Sequence, residues 1–120
     1  MILNRRHHPR IMLSMALKAT FQLESGASVE AHIDSIGLGG LGGWLDDRHQ
    51  PDFGPETRIR NLHLDHAAFP SPVPDLRVVF NTQKGQGSRP GLMMFGAQFL
   101  EPSPRFQSAL KDFLELANLD

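Results

Sequence analysis

Hydrophobic and polar positions alternate along the first part of the chain. From Ile11 to Leu23 every odd position is apolar, whereas the even positions include serine, lysine, threonine and glutamine. A strand with one buried face and one wet face has this period of two, so the pattern predicts a long antiparallel strand. After a turn at Ser25-Gly26, residues 29–33 alternate in the same way and predict a second strand that forms a hairpin with the first.

Shorter segments of the same kind follow. They predict four more strands: one that begins near Trp44, one over residues 57–64, one over residues 76–80 and one over residues 92–100. In the strand over residues 76–80, Leu76, Val78 and Phe80 share one face. Polar, glycine-rich and proline-rich segments at 46–55, 70–74 and 84–90 separate them and predict loops. The sequence therefore predicts about six strands, enough for a small antiparallel barrel.

The pattern changes to a helical period near the C-terminus. Apolar residues at 106, 110, 113, 114 and 117 form one stripe of a helix, Ser103 is suited to the N-cap and Pro104 to the first helical position. Because apolar stripes usually face a core, we expect this helix to pack on the barrel, and partner binding is the minor alternative.

Composition narrows the class of protein. The 120 residues carry 12 Lys plus Arg and 13 Asp plus Glu, with a net charge of −1 and no cysteine. This length fits one domain, the charge does not favour nucleic acid or an anionic membrane as a partner, and no apolar run approaches the roughly 20 residues of a membrane helix. We therefore expect a single domain in the cytoplasm, with residues 1–10 as a basic arm and residues 11–120 as a barrel with its helix.

The basic arm is the first candidate for ligand binding. Arg5, Arg6 and Arg10 lie within six residues, immediately before the first predicted strand. A guanidinium can clamp a phosphate, pair with the O6 and N7 edge of guanine, or stack on a base. A solvated terminal arm is the alternative reading of the same residues.

A glycine cluster at the end of the second strand is the other candidate. Residues 37–43 contain five of the eleven glycines of the chain. Exposed backbone N–H groups in a tight turn can bind an anion, although glycines also occur at bulges and corners of small barrels for purely geometric reasons.

The combination of the two features resembles a PilZ domain. PilZ domains carry an Arg-x-x-x-Arg arm before the barrel, which Arg6 and Arg10 match, and a second motif, (Asp/Asn)-x-Ser-x-x-Gly, at the end of the second strand. Residues 96–99 (Gly-Ala-Gln-Phe), the strand order and the C-terminal helix extend the resemblance over nearly the whole chain. The doubled Arg5-Arg6 and the segment 99–105 are most similar to the C-terminal half of YcgR-type flagellar brake proteins.

The second motif departs from the family pattern in either of two registers. Alignment on the double glycine places Ser35 at the acid, Gly37 at the serine and Gly40 at the final glycine, with Gly39 before it. A shift by one residue places Asp34 and Gly39 correctly but puts Ile36 at the serine. We prefer the first register because Ile33 then continues the inward face of the second strand.

The resemblance implies a six-stranded antiparallel β-barrel with one C-terminal α-helix that binds cyclic di-GMP without catalysis. It implies that the ligand contacts Arg5, Arg6, Arg10, Asp34, Ser35, Gly37, Gly39 and Gly40, that binding orders the arm, and that a regulated protein such as a flagellar motor component is the partner. The alternative is a degenerate PilZ domain that acts as a protein-interaction module without nucleotide binding. We expect no cofactor and no metal, because the one chelating pattern, His63-x-x-His66, has no accompanying carboxylate or thiol motif. We expect no enzyme, because no nucleophile is paired with a base.

Overall fold

The computed structural model describes residues 10–69, 73–82 and 90–118, and these form a closed antiparallel β-barrel with one α-helix. The strands are β1 (Arg10–Gln22), β2 (Ser28–Gly37), β3 (Gly40–Asp46), β4 (Arg58–Leu64), β5 (Leu76–Asn81) and β6 (Leu92–Phe99), and the helix α1 is Pro104–Asn118. Around the barrel the strands run in the order β1-β2-β3-β6-β5-β4. The predicted six-stranded barrel with a C-terminal helix is confirmed.

Alternating apolar side chains fill the barrel. In β1, Leu17, Ala19 and Phe21 are buried, as the alternation predicts. The rings of Phe21 and Phe95 pack on Phe53, with centroid distances of 5.9 and 5.3 Å. These aromatic contacts join β1 and β6 through the segment that follows β3.

Helix α1 closes one end of the hydrophobic core. The backbone N–H of Phe106 donates to Ser103 Oγ at 3.1 Å, so Ser103 is the predicted N-cap. Leu110 and Phe113 are buried, and the ring of Phe113 lies 5.2 Å from that of Phe69. The predicted apolar stripe therefore packs on the barrel, apart from Ala117, whose side chain lies outside the described residues.

Three local features differ from the sequence prediction. Strands β2 and β3 continue into the glycine cluster, and a 3₁₀-helix (Asp47–Asp52) begins the segment predicted as a loop at 46–55. Phe80 does not face the core: its side chain is 38% exposed because the pairing of β5 with β6 shifts between Val78 and Phe80. The remaining predicted loops fall largely at 70–72 and 83–89, outside the described residues.

Candidate functional site

The start of β1 lies beside the end of β2. In the antiparallel pair, Arg10 stands directly opposite Gly37. The last residue of the predicted basic arm therefore lies next to the residue at which β2 ends. Arg5, Arg6 and the side chain of Arg10 lie outside the described residues. The pairing therefore locates only the backbone of residue 10.

The glycine turn connects β2 to β3 and leads β3 closely along β6. The carbonyl oxygen of Gly39 accepts the backbone N–H of Phe99 at 2.9 Å. A Cβ atom on Gly40 would lie 2.1 Å from the backbone oxygen of Ala97, far inside van der Waals contact. Gly40 therefore allows an approach of two backbones that no other residue allows without movement of a strand.

A bulge in β2 lies at the residues that the two motif registers assign to the acid, Asp34 and Ser35. From Ile33 to Ser35, β2 advances two residues while β3 advances one, from Gly43 to Gly42, so Asp34 is the extra residue. Ile33 is fully buried, and Asp34 is partly exposed. Ile33 therefore keeps its predicted inward position while the carboxylate of Asp34 reaches the outer face of the barrel.

Ser35, the preferred acid position of the motif, lies deeper than Asp34. Only 8% of Ser35 is exposed, and Ile36 after it is fully buried. Ser35 stands opposite Met12 of β1 and Gly42 of β3. On exposure, Asp34 is the better placed of the two to meet a ligand.

Trp44 holds the Asp34 carboxylate on the outer face. Its indole Nε1–H donates to Asp34 Oδ2 at 2.8 Å. Trp44 stands opposite His32 of β2 and Met94 of β6, both of which are exposed, so these side chains share the outer face. No sequence pattern predicts this role of Trp44, because its contact with Asp34 depends on the bulge, which the alternation of apolar residues does not reveal.

Two glycines of neighbouring strands lie side by side next to this pair. Gly42 of β3 stands opposite Ser35 on one side and opposite Gly96 of β6 on the other. Gly96 is opposite Phe80 of β5, whose ring covers it. Two buried glycines, Gly42 and Gly96, therefore lie between the end of β2 and the Phe80 ring.

The neighbouring arginine of β5 is already engaged. Arg77 donates from Nη1 to Glu56 at 3.2 Å and from Nη2 to Gln98 at 2.9 Å. Such an arginine would have to give up existing bonds to take an anion. The arm arginines remain the candidates for phosphate binding.

The histidines show no metal site in the described part of the chain. Within residues 10–69, 73–82 and 90–118, no group of three or more histidine, cysteine, aspartate or glutamate side chains is placed to hold a metal ion. His66 Nδ1 accepts the backbone N–H of Ala68 at 3.0 Å, which uses one of its two ring nitrogens. His66 and His63 instead line a surface groove with Lys18, Thr20 and Asp65. No helix in these ranges is long and apolar enough to cross a membrane.

Comparison with known proteins finds similarity in structure only. No family model and no curated protein matches the sequence. The PilZ domain of YcgR from Escherichia coli, solved with c-di-GMP, superposes with a TM-score of 0.77 at 15% identity over 97% of this chain and 93% of that one. MrkH of K. pneumonia in complex with c-di-GMP gives a TM-score of 0.79 at 17% identity, over 98% of this chain and 53% of MrkH.

A third structure, the motility inhibitor MotI of Bacillus subtilis, superposes with a TM-score of 0.70 at 17% identity, over 98% of this chain and 52% of MotI. The chain thus spans about half the length of MrkH and of MotI. MrkH is described as a c-di-GMP-dependent transcription regulatory factor. The expectation that nucleic acid is not a partner therefore has no support from these neighbours.

Proposed function

Because this chain has the PilZ fold, we propose that it binds cyclic di-GMP on the outer face of the barrel and acts as a non-catalytic regulatory domain. The observation that carries the proposal is the pairing of Arg10 with Gly37, which brings the end of the basic arm next to the glycine turn. Two neighbours of the same fold, YcgR and MrkH, were solved with c-di-GMP, which supports this ligand.

Each part of the site has a chemical role in this proposal. Arg5, Arg6 and Arg10 bind the phosphates and guanine edges of the ligand, since a guanidinium offers paired donors to both. Gly39, which is partly exposed, lets the ligand approach the backbone of the turn, which the buried residues Gly37 and Gly40 shape. Asp34 supplies a hydrogen-bond acceptor, and Ser35 follows it in the chain at a buried position.

We propose that ligand binding by the arm is the regulatory step. A segment that closes over a ligand presents a different surface to a partner protein, and the partner we propose is a component of the motility apparatus. MotI, a neighbour by fold, is described as an inhibitor of motility. Amide exchange of residues 4–10 tests the coupling: we expect it to slow when cyclic di-GMP is added.

Titration calorimetry with cyclic di-GMP tests the proposed ligand. We expect binding by the wild type, and a loss of roughly ten- to a hundredfold in affinity for Arg6→Ala and for Arg10→Ala, because each charge-assisted bond contributes about 1.5–3 kcal/mol. Arg105→Ala, at an exposed position of α1, is the matched control and should bind as the wild type does. Unchanged affinity in both arm variants would refute the site.

A protein-interaction module without a nucleotide is the second candidate function. It is favoured by the altered motif, in which glycine stands at position 37 and Ser35 is only 8% exposed. A folded wild type that shows no heat of binding with cyclic di-GMP would support this function over the first.

A further inference from the structure

We propose that Trp44 is a positioning residue that orients the Asp34 carboxylate and thereby makes the site selective for guanine over adenine. The inference rests on the proposed function, and it concerns a residue outside the arm and outside the second motif. The observation behind it is the bond from Trp44 Nε1–H to Asp34 Oδ2 at 2.8 Å.

Two constraints hold the Asp34 carboxylate in place, one on the backbone and one on the side chain. Asp34 is the extra residue of a bulge, and the pairing on both sides of Ser35, with Met12 and Gly42, holds the backbone after it. The indole then holds one oxygen of the side chain. A carboxylate has about four lone-pair sites, so one bond from the indole leaves accepting capacity for a ligand.

A carboxylate in this position can distinguish the two purines. The Watson–Crick edge of guanine presents two adjacent donors, N1–H and the 2-amino group. The edge of adenine presents one donor, the 6-amino group, beside an acceptor at N1, which a carboxylate repels. The Asp34 carboxylate therefore favours guanine, provided that an accepting oxygen points toward the base.

The indole matters because it only donates. If position 34 carried an amide, Trp44 would bind the amide oxygen and turn the NH₂ group toward the ligand, where it meets the donors of guanine. If position 44 carried phenylalanine instead, the amide would be free to rotate and offer its oxygen. Trp44→Phe should therefore restore part of the affinity for cyclic di-GMP that Asp34→Asn removes. If Trp44 served only in packing, no such restoration would be expected.

The experiment is a double-mutant cycle on the full chain, measured by calorimetry with cyclic di-GMP and with cyclic di-AMP. The variants are Asp34→Asn, Trp44→Phe and the two together, with Met94→Leu as a control on the same face, opposite Trp44. We expect Asp34→Asn to lose about tenfold or more in affinity for cyclic di-GMP and Trp44→Phe to lose selectivity over cyclic di-AMP, which are effects of about one hydrogen bond.

The double variant decides between positioning and packing. We expect it to bind cyclic di-GMP several-fold more tightly than Asp34→Asn alone. If the wild type binds and the double variant is as weak as or weaker than Asp34→Asn, the positioning role is overturned while the proposed function stands. If the folded wild type binds neither dinucleotide, the proposed function fails and this inference fails with it.

Discussion

The ring of Phe80 lies directly over Gly96 of the neighbouring strand: a Cβ atom on Gly96 would come within 2.3 Å of Phe80 Cε1. The obstacle is a side chain that is 38% exposed and has room to turn toward solvent. Gly40 meets a different obstacle, the backbone oxygen of Ala97 at 2.1 Å. A larger residue at these two glycines would therefore meet obstacles of different kinds.

The two glycines should respond differently to alanine. We expect Gly40→Ala to lower the free energy of unfolding by about 1–3 kcal/mol or more, because β3 and β6 must separate to admit the methyl group. Gly96→Ala should lower it by less than roughly 1 kcal/mol, since only the Phe80 ring must move. Urea denaturation measures both, and an equal loss in the two variants would contradict this reading.

The helix should contribute to stability through its buried stripe. Leu110 is fully buried, whereas Leu116 is 66% exposed on the same helix. Leu110→Ala should lower the free energy of unfolding by about 2–5 kcal/mol, the usual loss for a buried leucine. Leu116→Ala is the matched control and should change it by less than roughly 0.5 kcal/mol. Similar values for the two would mean that α1 does not pack on the barrel in solution.

The N-cap of α1 offers a second matched pair. Ser103→Ala removes the acceptor of the Phe106 N–H and should cost about 1 kcal/mol of stability. Ser108 is an exposed residue inside α1, where alanine is a better helix former, so Ser108→Ala should be neutral or slightly stabilising. Thermal unfolding of both variants tests the cap, and equal melting temperatures would argue against it.

Ser35→Asp restores an acid at the position that the sequence alignment prefers. Because Ser35 is only 8% exposed, we expect the new carboxylate to lower the free energy of unfolding by about 1–3 kcal/mol. We expect no gain in affinity for cyclic di-GMP, since Asp34 already presents an acid on the outer face. Ser35→Ala serves as the control for loss of the hydroxyl. Tighter binding by Ser35→Asp in calorimetry would show that the motif alignment at position 35, and not the greater exposure of Asp34, identifies the residue that contacts the ligand.

Local periodicity explains why the barrel and helix could be predicted from the sequence. The alternation from Leu17 to Leu23 and the stripe through Leu110 and Phe113 each depend on residues close together in the chain, and both are confirmed. The side chains of Ile11 and Met15 lie outside the described residues. The prediction that Phe80 shares a face with Leu76 and Val78 was wrong, because the shift after Val78 depends on the pairing of β5 with β6. The contact of Trp44 with Asp34 could not be predicted for the same reason, because the bulge at Asp34 is defined only by the pairing of β2 with β3.

The bulge also allows the fold and the proposed ligand site to change separately during evolution. Removal of Asp34 by a single-codon deletion would leave Ile33, Ser35 and Ile36 in regular alternation against β3, with both isoleucines still facing the core. Such a deletion takes away the exposed carboxylate without moving an apolar residue outward. A lineage carrying it would keep the barrel and lose the acid, and a motif search with fixed spacing would not recognise the event.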